Sequence, residues 1–290
     1  AISWGLKTAF MKIIIIGLGL IGGSIAKTLS RLNGYKILAF DTNQSSVKNA
    51  IENQSIHAAI SSLDELKNED YENSLVILAT PPSTSIDILK SLSFLFNSSV
   101  TITDTSSAKS SLNKILQEFD FPKNIIFSHP VAGSHLSGEM NSITDLFQDK
   151  SVILSHHDSV SQLHLDRVID LWDRLGSKVS VLDPELHDHI FAYSSHLPHV
   201  VAYALLKTLK ELDQENLELF SGGGLGEFLR LASSSSQMWA DIFSMNDKNI
   251  VLAIDDLIKN LNMLKDEIAN HPENLQALLN ELKAFKEINY

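Results

Sequence analysis

Gly17-Leu18-Gly19-Leu20-Ile21-Gly22 repeats the spacing G-x-G-x-x-G between an apolar run, Ile13 to Ile16, and a segment of helical character that opens near Ile21. Glycines add nothing to a packed core, so their crowding specifies a backbone conformation rather than side-chain contacts. Gly17 permits a tight turn, and Gly19 lets a pyrophosphate reach the backbone at a helix N-terminus opened by Leu20 and Ile21. Gly22 allows helix and strand to approach closely. A second apolar run ends in Asp41, 19 residues beyond Gly22. A carboxylate there bonds a ribose 2′-hydroxyl and repels a 2′-phosphate, so NAD is the expected cofactor, with NADP the less favoured alternative.

Proton chemistry points to another stretch. SHPVAGSHLSG, residues 128–138, continues an apolar run and places His129 near its end. An imidazole can accept a hydroxyl proton near neutral pH while hydride leaves the same carbon for a nicotinamide. The alternative is a histidine that only holds its loop by hydrogen bonds. Two more loops follow apolar runs: ATPP at 79–82, with Thr80 and Pro81, and DTSSAK at 104–109, with Ser107 and Lys109. The first is expected beside the nicotinamide, or is simply a rigid turn. Ser107 and Lys109 also suit the N-cap and surface-facing first turn of the next helix. Downstream, His189, His196 and His199 stand at i, i+7 and i+10 on one helical face, with Pro198 placed to bend it. One helix rarely closes a metal coordination sphere alone, so no metal is expected. Arg230 lies among apolar and hydroxyl residues, the setting of an anion clamp or of an ordinary surface arginine.

The elements that must position these residues are legible as apolar runs at 11–17, 35–41, 74–80, 99–105, 124–130, 151–156 and 177–183. Their apolarity is continuous rather than alternating, as in strands of a parallel sheet buried on both faces by helices. The expected fold is α/β, a doubly wound dinucleotide-binding domain over 11–183. At 183–185 the texture changes, because Asp183 is a helix N-cap and Pro184 a first helical residue, and no convincing strand follows. Residues 184–290 are expected to form an all-helical substrate and dimerisation domain, where Ile250, Ile254, Leu257, Ile258, Leu261, Leu264 and Ile268 keep helical spacing. AISWGLKTAF, residues 1–10, reads as a leader or upstream extension, with Met11 the expected natural start.

Composition narrows the function classes. The chain has 290 residues, and 23 Lys and Arg against 35 Asp and Glu leave a formal charge of −12. A broad nucleic-acid or anionic-membrane surface is therefore not expected, and any anionic substrate must meet locally concentrated positive charge. Without cysteine there is no disulfide, thiolate metal site or Cys nucleophile, which fits a reducing, cytoplasmic setting. No apolar run reaches membrane-spanning length.

In order and spacing, GLGLIGGS, ATPP, DTSSAK, SHPVAGSHLSG with its following Leu146-Phe147, HDHIFAYSSHLPH and RLASSSSQMW resemble the prephenate and arogenate dehydrogenases of tyrosine biosynthesis. The likeness spans residues 11–270. The HPVAGS and SHLPH blocks are specific; the glycine fingerprint alone is not. The resemblance implies NAD-dependent oxidative decarboxylation of prephenate or arogenate, both small molecules, by a homodimer joined through its helical domain. By that analogy His129 deprotonates the ring hydroxyl with Ser107 hydrogen-bonding nearby, and Arg230 grips a substrate carboxylate. His196 and His199 match substrate-pocket histidines, and Ser134 falls on the loop after the catalytic histidine.

The chain departs from the family pattern at several points. Leu225, Gly226 and Glu227 stand where a Phe-Arg-Asp run is frequent, Ser236 where a proline is common, and Ser128 where a glycine often precedes the histidine. The choice between prephenate and arogenate therefore stays open. Two other classes also stay open on the residues. A β-hydroxyacid or 6-phosphogluconate-like dehydrogenase would place a catalytic lysine in the helical domain, where Lys207 and Lys210 lack the expected Gly-x-x-x-Asn setting. A non-catalytic NAD-sensing module would bind cofactor without turnover.

Overall fold

The computed structural model describes residues 11–132, 138–212 and 222–289. Strands β1 (Met11–Ile16), β2 (Tyr35–Phe40), β3 (Ala58–Ala59), β4 (Leu75–Leu78), β5 (Thr101–Asp104), β6 (Ile125–Pro130), β7 (Ser151–Ser155) and β8 (Lys178–Val181) form one sheet in the order β3-β2-β1-β4-β5-β6-β7-β8. Helices α1 (Leu20–Leu29), α2 (Gln44–Glu52), α3 (Pro82–Ser91), α4 (Ser110–Glu118) and α5 (Gln162–Arg174) accompany it.

Both faces of β1 are covered, as its unbroken isoleucine run requires. Ile13 and Ile15 pack with Ile25 and Leu29 of α1 and with Val168, Leu171 and Trp172 of α5. Ile14 and Ile16 pack with Leu89 of α3 and with Leu112, Ile115 and Leu116 of α4. Burying each such side chain contributes about 1.5–3 kcal/mol, so the glycine turn is launched from a strand whose last four residues are held on both faces. The strand order reverses between β1 and β4, and a crevice for ligands opens beyond the carboxyl ends of strands at such a point.

Two features depart from the sequence reading. The two-residue strand β3 was not expected, being too short to carry a pattern. The sheet is also not parallel throughout, because β7 runs antiparallel to β6, pairing Ile153 with His129. A parallel return needs a crossover of a dozen or more residues, usually helical. Among the described residues, the β6–β7 connection holds only a 3₁₀ turn, Glu139–Asn141.

After β8 every regular element among the described residues is helical: α6 (Pro184–Phe191), a π turn (Ala192–His196), α7 (Leu197–Leu209), α8 (Gly223–Leu229), a 3₁₀ turn (Arg230–Ser233), α9 (Ser236–Met245), α10 (Asp247–Asn270) and α11 (Leu275–Asn289). Asp183 caps α6 by accepting from the N–H groups of Glu185 and Leu186. Among the described residues no helix is long and apolar enough to cross a membrane. In the single chain Val251, Leu252, Ile258, Leu261 and Ile268 of α10 remain exposed.

Candidate active site

The glycine turn has the geometry its spacing implies. Gly17 adopts φ +98°, where a Cβ would lie 2.5 Å from the Ala79 carbonyl oxygen, and a Cβ on Gly22 would lie 1.9 Å from the carbonyl oxygen of Gly17. Gly19 differs, since a Cβ there meets nothing within 4 Å. It is also the N-cap of α1 and supplies no side-chain cap, so the first N–H groups of the helix, at Leu20 and Ile21, have no acceptor within the helix. Asp41, just beyond β2, turns back onto this loop: its Oδ2 accepts from the Leu18 N–H at 2.6 Å and its Oδ1 from the Asn43 N–H at 2.7 Å. Thr80 and Pro81 follow β4 beside Gly17, with the Thr80 hydroxyl 2.8 Å from that of Ser85. Gly23 lies outside the six-residue fingerprint and answers to a different neighbour. A Cβ there would come within 2.9 Å of Ser142, on the segment that continues from the His129 loop. That segment is pinned to α1 by the Ser24 hydroxyl, which accepts from the Ile143 N–H at 3.0 Å, and by Thr28, whose hydroxyl donates to the Thr144 carbonyl.

His129 sits at the carboxyl end of β6, only 8% exposed. Its Nδ1 lies 2.8 Å from Nε2 of His187 on α6, and His187 Nδ1 lies 2.8 Å from Oδ1 of Asp188. The same carboxylate accepts from the backbone N–H groups of Lys109 and Ser110, each at 2.8 Å, and so caps α4 from another element. Phe191 closes one side of the His129 ring at 4.4 Å between centroids.

A buried ion pair supports the strand end. Lys109 is fully buried, against the expectation of a surface residue. Its ammonium group bonds both Asp104 oxygens, at 2.9 and 2.8 Å, and the Ser128 carbonyl at 2.6 Å. An unpaired buried ammonium would be prohibitive, so the Asp104 carboxylate at the end of β5 is what draws Lys109 inward. Ser128 earns its place where a glycine is frequent: its hydroxyl lies 2.7 Å from that of Thr103 and accepts from the Trp172 indole N–H at 2.9 Å.

The electrostatics follow from burial. His129 is pushed well below the ordinary imidazole value of 6.5, first by desolvation and then by the charges of His187, Lys109 and His196. Desolvation also lowers His187, outweighing the opposing pull of Asp188. Burial works to raise Asp188, but hydrogen bonds from His187 and from the Ser110 and Lys109 N–H groups prevail and hold its carboxyl below the usual range. His196, buried chiefly against solvent, is lowered to about 4.

The three downstream histidines do not share a face. The π turn at Ala192–His196 inserts extra helical winding between them, so His189 is exposed against Tyr193 while His196 is buried. Pro198 has no N–H for the Ser194 carbonyl and would press its ring on that group, and the widened turn accommodates both. His199 stacks on Trp239 of α9 at 3.6 Å between centroids. The Asn246 amide donates to the Asp188 carbonyl at 2.7 Å and lies 3.1 Å from His196 Nδ1, which joins His196 to the His129 cluster.

Among the other candidates, Ser107 is half-buried on the β5–α4 loop, and Arg230 is exposed on the 3₁₀ turn that packs against α7. Lys207 and Lys210 are exposed on α7 and its end. Ser134 lies outside the described residues. No group of three His, Asp or Glu side chains able to hold a metal occurs among the described residues. Sequence reasoning missed His187, Asp188, Asn246, Trp239 and the Lys109–Asp104 pair. The available signal was the carboxylate adjacent to His187, in a segment where His189 drew the attention.

The family model described as the prephenate dehydrogenase nucleotide-binding domain matches residues 25–181, and that of the prephenate dehydrogenase dimerization domain matches residues 183–284. Cyclohexadienyl dehydrogenase of Zymomonas mobilis is 30% identical over 268 residues, covering 91% of this chain and 90% of that protein. Prephenate dehydrogenase of Lactococcus lactis is 30% identical over 264 residues, covering 89% of this chain and 70% of its own length. The crystal structure of Aquifex aeolicus prephenate dehydrogenase with hydroxyphenyl propionate and NAD+ superposes with a TM-score of 0.88 at 35% identity, covering 97% of this chain and 99% of that one. A doubly wound nucleotide-binding domain, a helical continuation and matches that together span nearly the whole sequence make this chain a member of the prephenate dehydrogenase family.

Proposed function

We propose that the protein is an NAD-dependent dehydrogenase that oxidises and decarboxylates prephenate, arogenate or both. The observation that carries this reading is His129: a buried imidazole, held unprotonated at neutral pH, at the same sheet edge as the glycine turn. The turn suits a dinucleotide, since Gly19 leaves open space where a larger residue would put a side chain, at a helix N-terminus whose first N–H groups have no acceptor within the helix. Asp41 favours NAD over NADP, and Thr80 and Pro81 border the crevice. NAD, when bound, supplies the hydride acceptor.

His129 takes the proton of the ring hydroxyl as hydride leaves the same carbon, with Ser107 orienting that hydroxyl. The carbonyl so formed lies across the ring from the departing carboxylate. Its C–C bond breaks, carbon dioxide leaves, and the electron pair closes the aromatic ring onto the oxygen, to which His129 returns the proton. Decarboxylation needs no further base, so the remaining side chains orient the substrate and stabilise charge. Arg230 meets a substrate carboxylate, while His196 and His199 wall the pocket and Ser134 follows His129 by five residues in the sequence. Asn246 donates to His196 Nδ1, so the neutral His196 ring carries its proton on Nε2. His196 Nε2 and the Trp239 indole N–H are buried with no partner among the described residues, a donor pair suited to an acceptor-bearing substrate.

Residues 11–183 would form the dinucleotide-binding domain and 184–290 the substrate and dimerisation domain of a cytoplasmic homodimer, with no role for nucleic acid or membrane. The exposed apolar residues of α10 support dimerisation, because a row of this kind is seldom left in water. Initial-rate formation of NADH with prephenate and arogenate supplied separately, and NAD or NADP as oxidant, tests the reading. Turnover of either substrate with NAD supports it and settles the specificity; turnover of neither, by protein that binds NAD, refutes it.

A further inference from the structure

We infer that His187 and Asp188 are positioning residues that fix the tautomer of His129, so that its Nε2 carries the lone pair that accepts the substrate proton. The inference rests on the reading of His129 as the base, and it begins from hydrogen-bond arithmetic. An ionised carboxylate only accepts, so the contact from Asp188 Oδ1 to His187 Nδ1 requires a proton on that nitrogen. A neutral His187 then presents an unprotonated Nε2 to His129. His129 must donate from Nδ1, which leaves its Nε2 bare.

The surroundings hold each step in place. Asp188 stays ionised because it caps α4 through the Lys109 and Ser110 N–H groups. His187 is fully buried, which opposes a second proton. Across the cluster, Asp104 and Asp188 oppose Lys109, so the charged groups facing the histidines sum to one negative charge, and His196 adds none while neutral. A proton gained by His129 is thereby compensated through His187 without an unpaired buried charge. The device follows the logic of an aspartate orienting a catalytic histidine, with a second imidazole interposed.

The test requires no substrate at first. With ¹⁵N-labelled histidine in the NAD-bound enzyme, His129, identified by its loss in the His129→Asn spectrum, is expected to show a protonated Nδ1 and a bare Nε2 at neutral pH. A proton on Nε2 instead overturns the proposal. Asp188→Asn frees His187 to turn its proton toward His129, and kcat is expected to fall by about 10²–10⁴-fold with NAD affinity retained. The acid limb of kcat/KM should also move to lower pH, since the compensating negative charge is gone. Unchanged kcat, or an acid limb moved up toward the ordinary imidazole range as in a merely loosened site, overturns it. If the wild type turns over neither prephenate nor arogenate, the functional reading fails, while the tautomer measurement still decides the relay.

Discussion

Substitution by alanine at Gly19 and Gly22 should separate cofactor binding from folding, because the two glycines face different neighbours. A Cβ on Gly22 would lie 1.9 Å from the Gly17 carbonyl oxygen, whereas carbon and oxygen approach no nearer than about 3.3 Å. Helix α1 would have to retreat by roughly 1.4 Å from a turn anchored on the buried β1 strand, an overpacking that costs about 1–3 kcal/mol or more. At about 2–4 °C per kcal/mol for a chain approaching this size, Gly22→Ala should lower Tm by roughly 2–12 °C. Gly19→Ala meets nothing within 4 Å, so its cost to the fold is that of replacing an N-cap glycine, about 1 kcal/mol or less. Its methyl group instead occupies the approach to the helix N-terminus. Loss of a charge-assisted bond to a phosphate, about 1.5–3 kcal/mol, weakens NAD binding by roughly 10- to 100-fold. Differential scanning fluorimetry and calorimetric titration with NAD measure the two effects. A Gly19→Ala variant that binds NAD like the wild type would refute the placement of the pyrophosphate, and a Gly22→Ala variant of wild-type Tm would refute the steric argument.

Three other outcomes are expected. His129→Asn should lower kcat by about two to four orders of magnitude while sparing NAD affinity; wild-type turnover in steady-state assays would remove His129 from the mechanism. Asp41→Ala should relax the cofactor preference toward NADP, and a wild type that already prefers NADP in parallel initial-rate assays would contradict the assignment. Stability should fall on acidification below the imidazole range. His196 has its pKa lowered from 6.5 to about 4, so between these values the unfolded chain binds a proton that the folded one refuses. The stability present above pH 6.5 is lost as pH drops toward about 4, by on the order of 3 kcal/mol, and buried His129 and His187 act in the same direction. Urea midpoints that do not change between neutral pH and pH 5 would refute this.

The fold was legible where one physical constraint governs a whole segment. An unbroken isoleucine run can only be a strand covered on both faces, and Asp183 with Pro184 can hardly be anything but a helix start. Residues 58–59 escaped because two residues carry no periodicity, and the antiparallel turn of β7 escaped because continuous apolarity points to a mostly parallel sheet covered on both faces without fixing the direction of any one strand. In the site, residues in motifs with fixed spacing could be read, since Gly17, Gly19, Gly22 and Asp41 interact through local backbone geometry and one adjacent strand. Lys109 could not. An ammonium group is buried only if a carboxylate waits for it, and that depends on Asp104 and the Ser128 carbonyl converging from neighbouring strands.

The sequence by itself determined seven of the eight strands, the glycine turn and the histidine at the end of β6, because each is dictated by sterics and burial within a few residues. Only the tertiary structure decided which partners those groups acquire. The π turn before Pro198 divides His189 from His196, and the packing of α6 on α4 brings Asp188 to the Lys109 and Ser110 N–H groups, 79 and 78 residues away in the chain. Hydrogen bonds of 2.8 Å between such distant residues arise from the packing of whole elements, to which no local pattern refers.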